Sequence, residues 1–307
     1  PYTLNRHDPT LLHFWTNGTG PERPSAFYQF SIPHSVKDKD DIKEPTLLLE
    51  SPKDAFFLDF VSGGYTAGEP DPTLLVGVSN THLYVRSNEE SGVNGSMITR
   101  ALPAPFAKPV TLDYDASNSG ARILGPVTHG RTVSMTVSPS DSRIIAVTGW
   151  PSVKTNAGDE AVFVTTDAGK TWHNVTGNLR TASGVTGKVR PGGVLLVDLL
   201  HNNGTRALLI GTSNGVLTTF IQPHQIHKEQ HWARFGTCDE FPIVLTADLD
   251  YEPYSDRLVA ATFGRGIFVL KDAKNKLLNA RDCMWKAGSF ERMPEESSAQ
   301  YFAEWQE

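Results

Sequence analysis

Ala161-Val-Phe-Val-Thr-Thr-Asp167-Ala-Gly169-Lys-Thr171-Trp172 is the stretch that decides the fold. Val162, Phe163 and Val164 on one side, and Thr171 and Trp172 on the other, are strand formers. Between them Asp167 bonds backbone just ahead of it, and Gly169 takes up a positive φ without steric cost. The stretch therefore reads as two antiparallel strands joined by a tight turn.

Working outward, the same plan recurs in five segments: an apolar strand, a polar turn, a Leu/Val/Ala-rich strand, then another β-rich strand. The fifth runs Val244–Leu249, a turn at Glu252–Asp256, Arg257–Thr262 and Gly266–Leu270. The fourth has Val194–Leu199, Ala207–Thr212 and Gly215–Phe220, and the third has Val133–Val137 and Arg143–Thr148 before the hairpin above. The second holds Phe56–Phe60, Leu74–Val78 and His82–Arg86, and the first holds Tyr2–Leu4, Leu11–Trp15 and Phe27–Phe30. A fourth strand is expected in the last three repeats, carrying Trp172, Trp232 and Trp285; a large indole at one repeat position suits an anchor between neighbouring sheets. Four antiparallel strands repeated radially make an all-β propeller. Five blades of about 60 residues are visible by this count, or part of a six- or seven-bladed ring if the chain is a fragment. The propeller is placed at residues 1–275, and residues 276–307 are expected to form a C-terminal tail that adds an outer strand to the last blade.

Thr165-Thr-Asp167-Ala-Gly169-Lys-Thr171-Trp172 resembles the Asp-box, the Ser/Thr-x-Asp-x-Gly-x-Thr-Trp pattern (BNR repeat) of sialidase-like and sortilin-like β-propellers. The likeness is specific over residues 130–272 and weaker over 1–120, where the boxes have decayed to turns such as Ser79-Asn-Thr-His82. The resemblance implies that Asp167, Gly169 and Trp172 are structural, because the box lies at a blade edge, away from the central pocket. A sialidase of this kind would carry Arg-Ile-Pro near its start. Here the nearest string is Arg122-Ile-Leu-Gly-Pro126, without the adjacent Pro and in mid-chain, which argues against a typical sialidase.

The 307 residues carry a net charge of −6 and 39% hydrophobic residues, which fits a globular domain and gives no basic surface for nucleic acid. No apolar run reaches the roughly 18 residues of a membrane span. The chain begins at Pro1, so a processed product is expected. Sequons stand at Asn17, Asn94, Asn174 and Asn203, three of them Asn-Gly, and point to N-glycosylation in the secretory pathway or outside the cell. The two cysteines, Cys238 and Cys283, are an even count that suggests one disulfide in that setting; two buried free thiols are the alternative.

Asp59, Asp198 and Asp248 occupy equivalent first-strand positions, with Asp250 and Asp113 nearby. First strands line the channel of a propeller, so these carboxylates are expected there, buried and bonded to backbone. As a pair on a sugar they would make a glycosidase; as a recurring feature they would hold blades together. His224, His227 and His231 have the spacing of one helix face and are weak candidates for a metal, but Pro223 opens the segment and an exposed loop is the plainer reading. No cofactor motif is present: Gly264-Arg-Gly266 is a turn between strands. The expected role is binding of a glycan or an extracellular peptide or protein at the channel mouth. The alternatives are a glycoside hydrolase using the channel Asp residues, and an assembly or scaffold factor.

Overall fold

The computed structural model describes residues 2–16, 25–33, 43–50, 57–79, 82–89, 91–92, 96–103, 131–150, 161–183, 191–199, 204–222, 226, 230–235 and 243–286, the side chains of 131–133, 150 and 281–286 aside. Their strands form five antiparallel sheets in chain order. The first contains β1 (Tyr2–Leu4), β2 (Leu11–Thr16), β3 (Ala26–Ser31) and β4 (Thr46–Glu50). The second contains β5 (Phe57–Thr66), β6 (Glu69–Ser79), β7 (His82–Arg86) and β8 (Ile98–Ala101). The third is β9 (Arg131–Val137), β10 (Ile145–Trp150), β11 (Val162–Thr165) and β12 (His173–Asn174), after which a short helix α1 (Leu179–Ser183) follows. The fourth is β13 (Val194–Asp198), β14 (Arg206–Thr212), β15 (Gly215–Ile221) and β16 (Ala233–Arg234). The last is β17 (Thr246–Glu252), β18 (Arg257–Thr262) and β19 (Gly266–Lys271), followed by helix α2 (Ala273–Lys286). The molecule is a β-propeller of antiparallel blades, four of them four-stranded and the last three-stranded among the described residues.

The inner sheets bury both faces between their neighbours, which is why their middle strands read as continuous apolar runs. β14 is buried at every residue. Even side chains of one strand pack one way and odd ones the other. Leu74, Val76 and Val78 of the second blade meet Met135, Ile145, Val147 and Phe163 of the third. Ala146, Val162 and Val164 of the third meet Leu196, Leu208, Ile210 and Trp232 of the fourth. Leu209, Val216 and Phe235 of the fourth meet Leu249, Leu258 and Leu270 of the fifth. The first interface is aromatic: Trp15 and Phe27 stand against Phe57, Phe60 and Tyr84. At the blade 3–4 junction Gly177 is obligatory, since it has φ 43° and an added Cβ would lie 1.9 Å from the Gln230 carbonyl oxygen.

Residues 276–286 do not form an outer strand: they are helical in α2, and Trp285 and Cys283 lie on that helix. The physical reason is a period misread as β. Ala273, Leu277 and Ala280 recur at four and three residues, and all three are buried against the blade 4–5 core. The helix starts where Asp256 captures the amides of Ala273 and Lys274. The fourth strands of the first two blades, β4 and β8, were not evident from sequence. Residues 287–307 lie outside the described residues.

Candidate binding site at the channel

The first strand of each sheet is an edge strand, so its outward N–H and C=O groups need partners. Here side chains of one first strand supply them to the next. The Asp59 carboxylate on β5 accepts the Phe60 N–H at 2.8 Å and also the N–H of Met135 on β9. The Ser134 and Thr136 hydroxyls on β9 accept the N–H groups of Val194 (3.4 Å) and Leu196 (3.2 Å) on β13. Between blades four and five the contact becomes backbone to backbone, the Gly193 N–H donating to the Ala247 carbonyl at 2.8 Å. The first strands of blades two to five are thus clasped each to the next.

Burial raises the Asp59 carboxyl to about 6, against the two backbone N–H groups that favour its charged form; the charge of Asp248 raises it further. β5 and β17 are therefore within electrostatic reach although two blades separate them along the chain. Asp248 is itself raised, by desolvation first and then by Asp250, although its side chain is exposed. Its carboxylate lies close to Gly193, where an added Cβ would meet Asp248 Oδ1 at 2.6 Å. Asp248 and Asp250 accept the N–H groups of Leu249 (2.9 Å) and Tyr251 (2.8 Å) and share the exposed face of β17.

Asp198 is on a first strand as expected, with different partners. Its carboxylate forms an ion pair with Arg206 at 2.8 Å and accepts the Ser138 hydroxyl at 3.0 Å. Arg206 also donates to Ser138 (2.8 Å), Ser140 (3.1 Å) and the Gly204 carbonyl (2.6 Å). This cluster is a clamp between blades three and four and neutralises Asp198. Arg206 was missed in the sequence. An available signal was the Arg that opens the second strand of three repeats, Arg143, Arg206 and Arg257; the last two stand directly across from an acid, Asp198 and Glu252.

The hairpin at Asp167 is self-contained. Its carboxylate accepts the Thr171 N–H (2.8 Å), the Thr171 hydroxyl (2.6 Å) and the Thr165 hydroxyl (2.7 Å). Burial works to raise its pKa, but these donors hold it below the usual range. Gly169 has φ 86°, and a Cβ there would meet Leu83 at 2.6 Å, so the turn is seated on the second blade. The turn joins the two outer strands of its sheet and faces no first strand.

Trp172 and Trp232 do share a role. The Trp172 indole N–H donates to the Ala101 carbonyl at 3.1 Å, and that of Trp232 to the Val175 carbonyl at 2.8 Å. Each indole stands one residue before its own outer strand, β12 or β16, rather than on it as expected, and pins the end of the preceding blade's outer strand.

Asn174 is exposed on β12. Asn17, Asn94, Asn203, Asp113, Cys238, His224 and His227 lie outside the described residues, and His231 is exposed before β16. No group of three metal-ligating side chains occurs among the described residues. No helix among them is long and apolar enough to cross a membrane.

No protein-family profile matches the chain, and no curated protein sequence matches it. Solved structures are similar in fold. A chain of a mitotic checkpoint complex is 10% identical over 86% of this chain and 73% of that one, with a TM-score of 0.37. A protein assigned as a 6-phosphogluconolactonase from Bacteroides fragilis is 11% identical over 90% and 67%, with a TM-score of 0.40. BBS1N, solved in complex with ARL6DN, is 11% identical over 84% and 74%, with a TM-score of 0.35.

Proposed function

We propose that this chain is a binding module of the Asp-box type whose ligand, a glycan or an extracellular peptide, docks at the channel mouth. The observation that carries this reading is the state of the channel acids. Asp59 is engaged by two backbone N–H groups and Asp198 by an arginine, which leaves Asp250, exposed on β17, as the acceptor for a ligand. Exposed carboxylates accept hydrogen bonds from sugar hydroxyls or from a peptide's amines. Asp167 belongs to its hairpin and stays out of the ligand's way. Secretion, N-glycosylation and the Cys238–Cys283 disulfide are part of the same proposal; the exposed Asn174 supports it.

The test is binding to a glycan array and a basic-peptide library. Asp250→Ala is expected to weaken a hit at least tenfold, and Asp167→Ala to leave it unchanged. Loss on Asp167→Ala with the fold intact would refute the assignment of the two sites.

A glycoside hydrolase is the second reading. It is favoured by one observation, a carboxyl raised to about 6 within electrostatic reach of another carboxylate. Release of reducing sugar, abolished by Asp59→Asn in a folded protein, would put it first. The assembly-factor reading draws its support from the uncovered apolar faces described next.

A further inference from the structure

Among the described residues, the end blades each have one face without a neighbouring blade. On the last blade, β18 and β19 bury Leu258, Ala260 and Leu270 against the fourth blade, while the opposite face is open. Ile267 is 69% exposed and Val269 53%, and they stand in register with Ala261 and Val259. On the first blade, Trp15 and Phe27 face the second blade, and the other side carries Tyr2, Phe14, Tyr28 and Leu47 in one register row. Tyr2 is 78% exposed and Leu47 47%. Soluble proteins seldom leave such faces bare.

Asp248 carries the argument further. It repeats Asp59 in detail: both follow a register shift on a first strand, and both accept the N–H of the next residue. Asp59 also accepts the N–H of Met135 on the following blade's first strand. Among the described residues no N–H from another sheet reaches Asp248. Among the described residues it is a clasp with no next first strand to hold.

We infer that the open face of the last blade receives the open face of the first blade of a second copy of this chain, with Asp248 clasping that copy's β1. The contact continues the interface already made four times within the molecule, where the trailing face of one blade meets the leading face of the next. The chemistry is complementary in size: the aromatic row of the first blade meets Val259 and Ala261, small residues between which rings fit. Because the two faces differ, the contact is head-to-tail, and each copy offers one of each.

The experiment is the mass of the full chain by analytical ultracentrifugation across a hundredfold concentration range. The wild type is expected to associate. Ile267→Asp and, separately, Tyr2→Asp are expected to give monomers, and an equimolar mixture of the two to give a dimer, since one intact pair of faces remains. Asp248→Ala is expected to weaken association at least tenfold. Leu47→Lys is a second first-face variant, and circular dichroism checks the fold of each. A monomer at every wild-type concentration overturns the inference, whether other residues of the chain or a different protein then cover the faces. Association that only the Ile267 variant abolishes, or a mixture that stays monomeric, overturns it as well. The readout is mass, so failure here is separable from failure to find a channel ligand.

Discussion

Replacing Trp232 by Phe should destabilise the protein by about 2–4 kcal/mol, far more than the same change at Trp172. Trp232 is 1% exposed, and its indole N–H is bonded to the carbonyl of Val175, a residue with no exposure at all. Phe leaves that carbonyl buried without a donor, which costs about 1–3 kcal/mol. The lost ring volume, about 40 Å³, adds about 1 kcal/mol at roughly 24 cal/mol per Å³ of cavity. Trp172 makes the analogous bond to Ala101 but is only half-buried, so water can replace the donor and the cost should be about 0.5–1.5 kcal/mol. Urea unfolding followed by circular dichroism measures both, provided the slope with denaturant is unchanged, so that midpoints report stability. A Trp232→Phe cost below about 1 kcal/mol, or one no greater than that of Trp172→Phe, would refute the claim that buried indole-to-carbonyl pins hold successive blades together.

Arg206→Ala should cost about 3–5 kcal/mol, because it strands the Asp198 carboxylate, 14% exposed, beside Ser138; the midpoint of thermal unfolding checks it, and a loss under about 1 kcal/mol would mean the clamp is idle. Asp59→Asn should stabilise the protein at pH 7.5. The folded carboxyl sits near 6 against 3.8 for the free group, so ionisation costs stability above pH 6, by at most about 3 kcal/mol, and the cost is relieved as pH falls from 6 towards 4. The gap between variant and wild type in urea should therefore close by pH 4, and a gap independent of pH would count against it. Asp167→Ala should cost about 1 kcal/mol, as loss of a local turn cap does, with ligand affinity unmoved; a larger change in affinity than in stability would point to a ligand at the hairpin.

Periodicity and turn chemistry made most of the blades legible. The Asp167 hairpin could be read residue by residue because its hydrogen bonds are local: Thr165, Asp167 and Thr171 satisfy one another within seven positions. The shared role of Trp172 and Trp232 was legible from recurrence. The outer strands β4 and β8 were harder to see, since Thr46–Glu50 is leucine-rich rather than β-branched and Ile98–Ala101 has only four residues. The outer strand expected beyond residue 275, carrying Trp285, is instead part of helix α2, whose buried residues Ala273, Leu277 and Ala280 follow a helical period. Of the candidate site, the first-strand positions of Asp59, Asp198 and Asp248 followed from the repeat, whereas their partners did not.

The sequence by itself determined the antiparallel sheets, their order and the turns between them, because each depends on residues a few positions apart. Only the tertiary structure decided what the three aspartates do. Asp59 meets Met135, Asp198 meets Ser138 and Arg206, and Asp248 meets no other sheet among the described residues. Those outcomes depend on which strand lies next to each carboxylate across a blade boundary. Met135 and Ser138 are 60 or more residues from the carboxylates they meet and leave no local pattern, whereas Arg206 stands across from Asp198 in the same sheet, so equivalent carboxylates acquire different chemistry from the neighbours that the packing of blades brings to them.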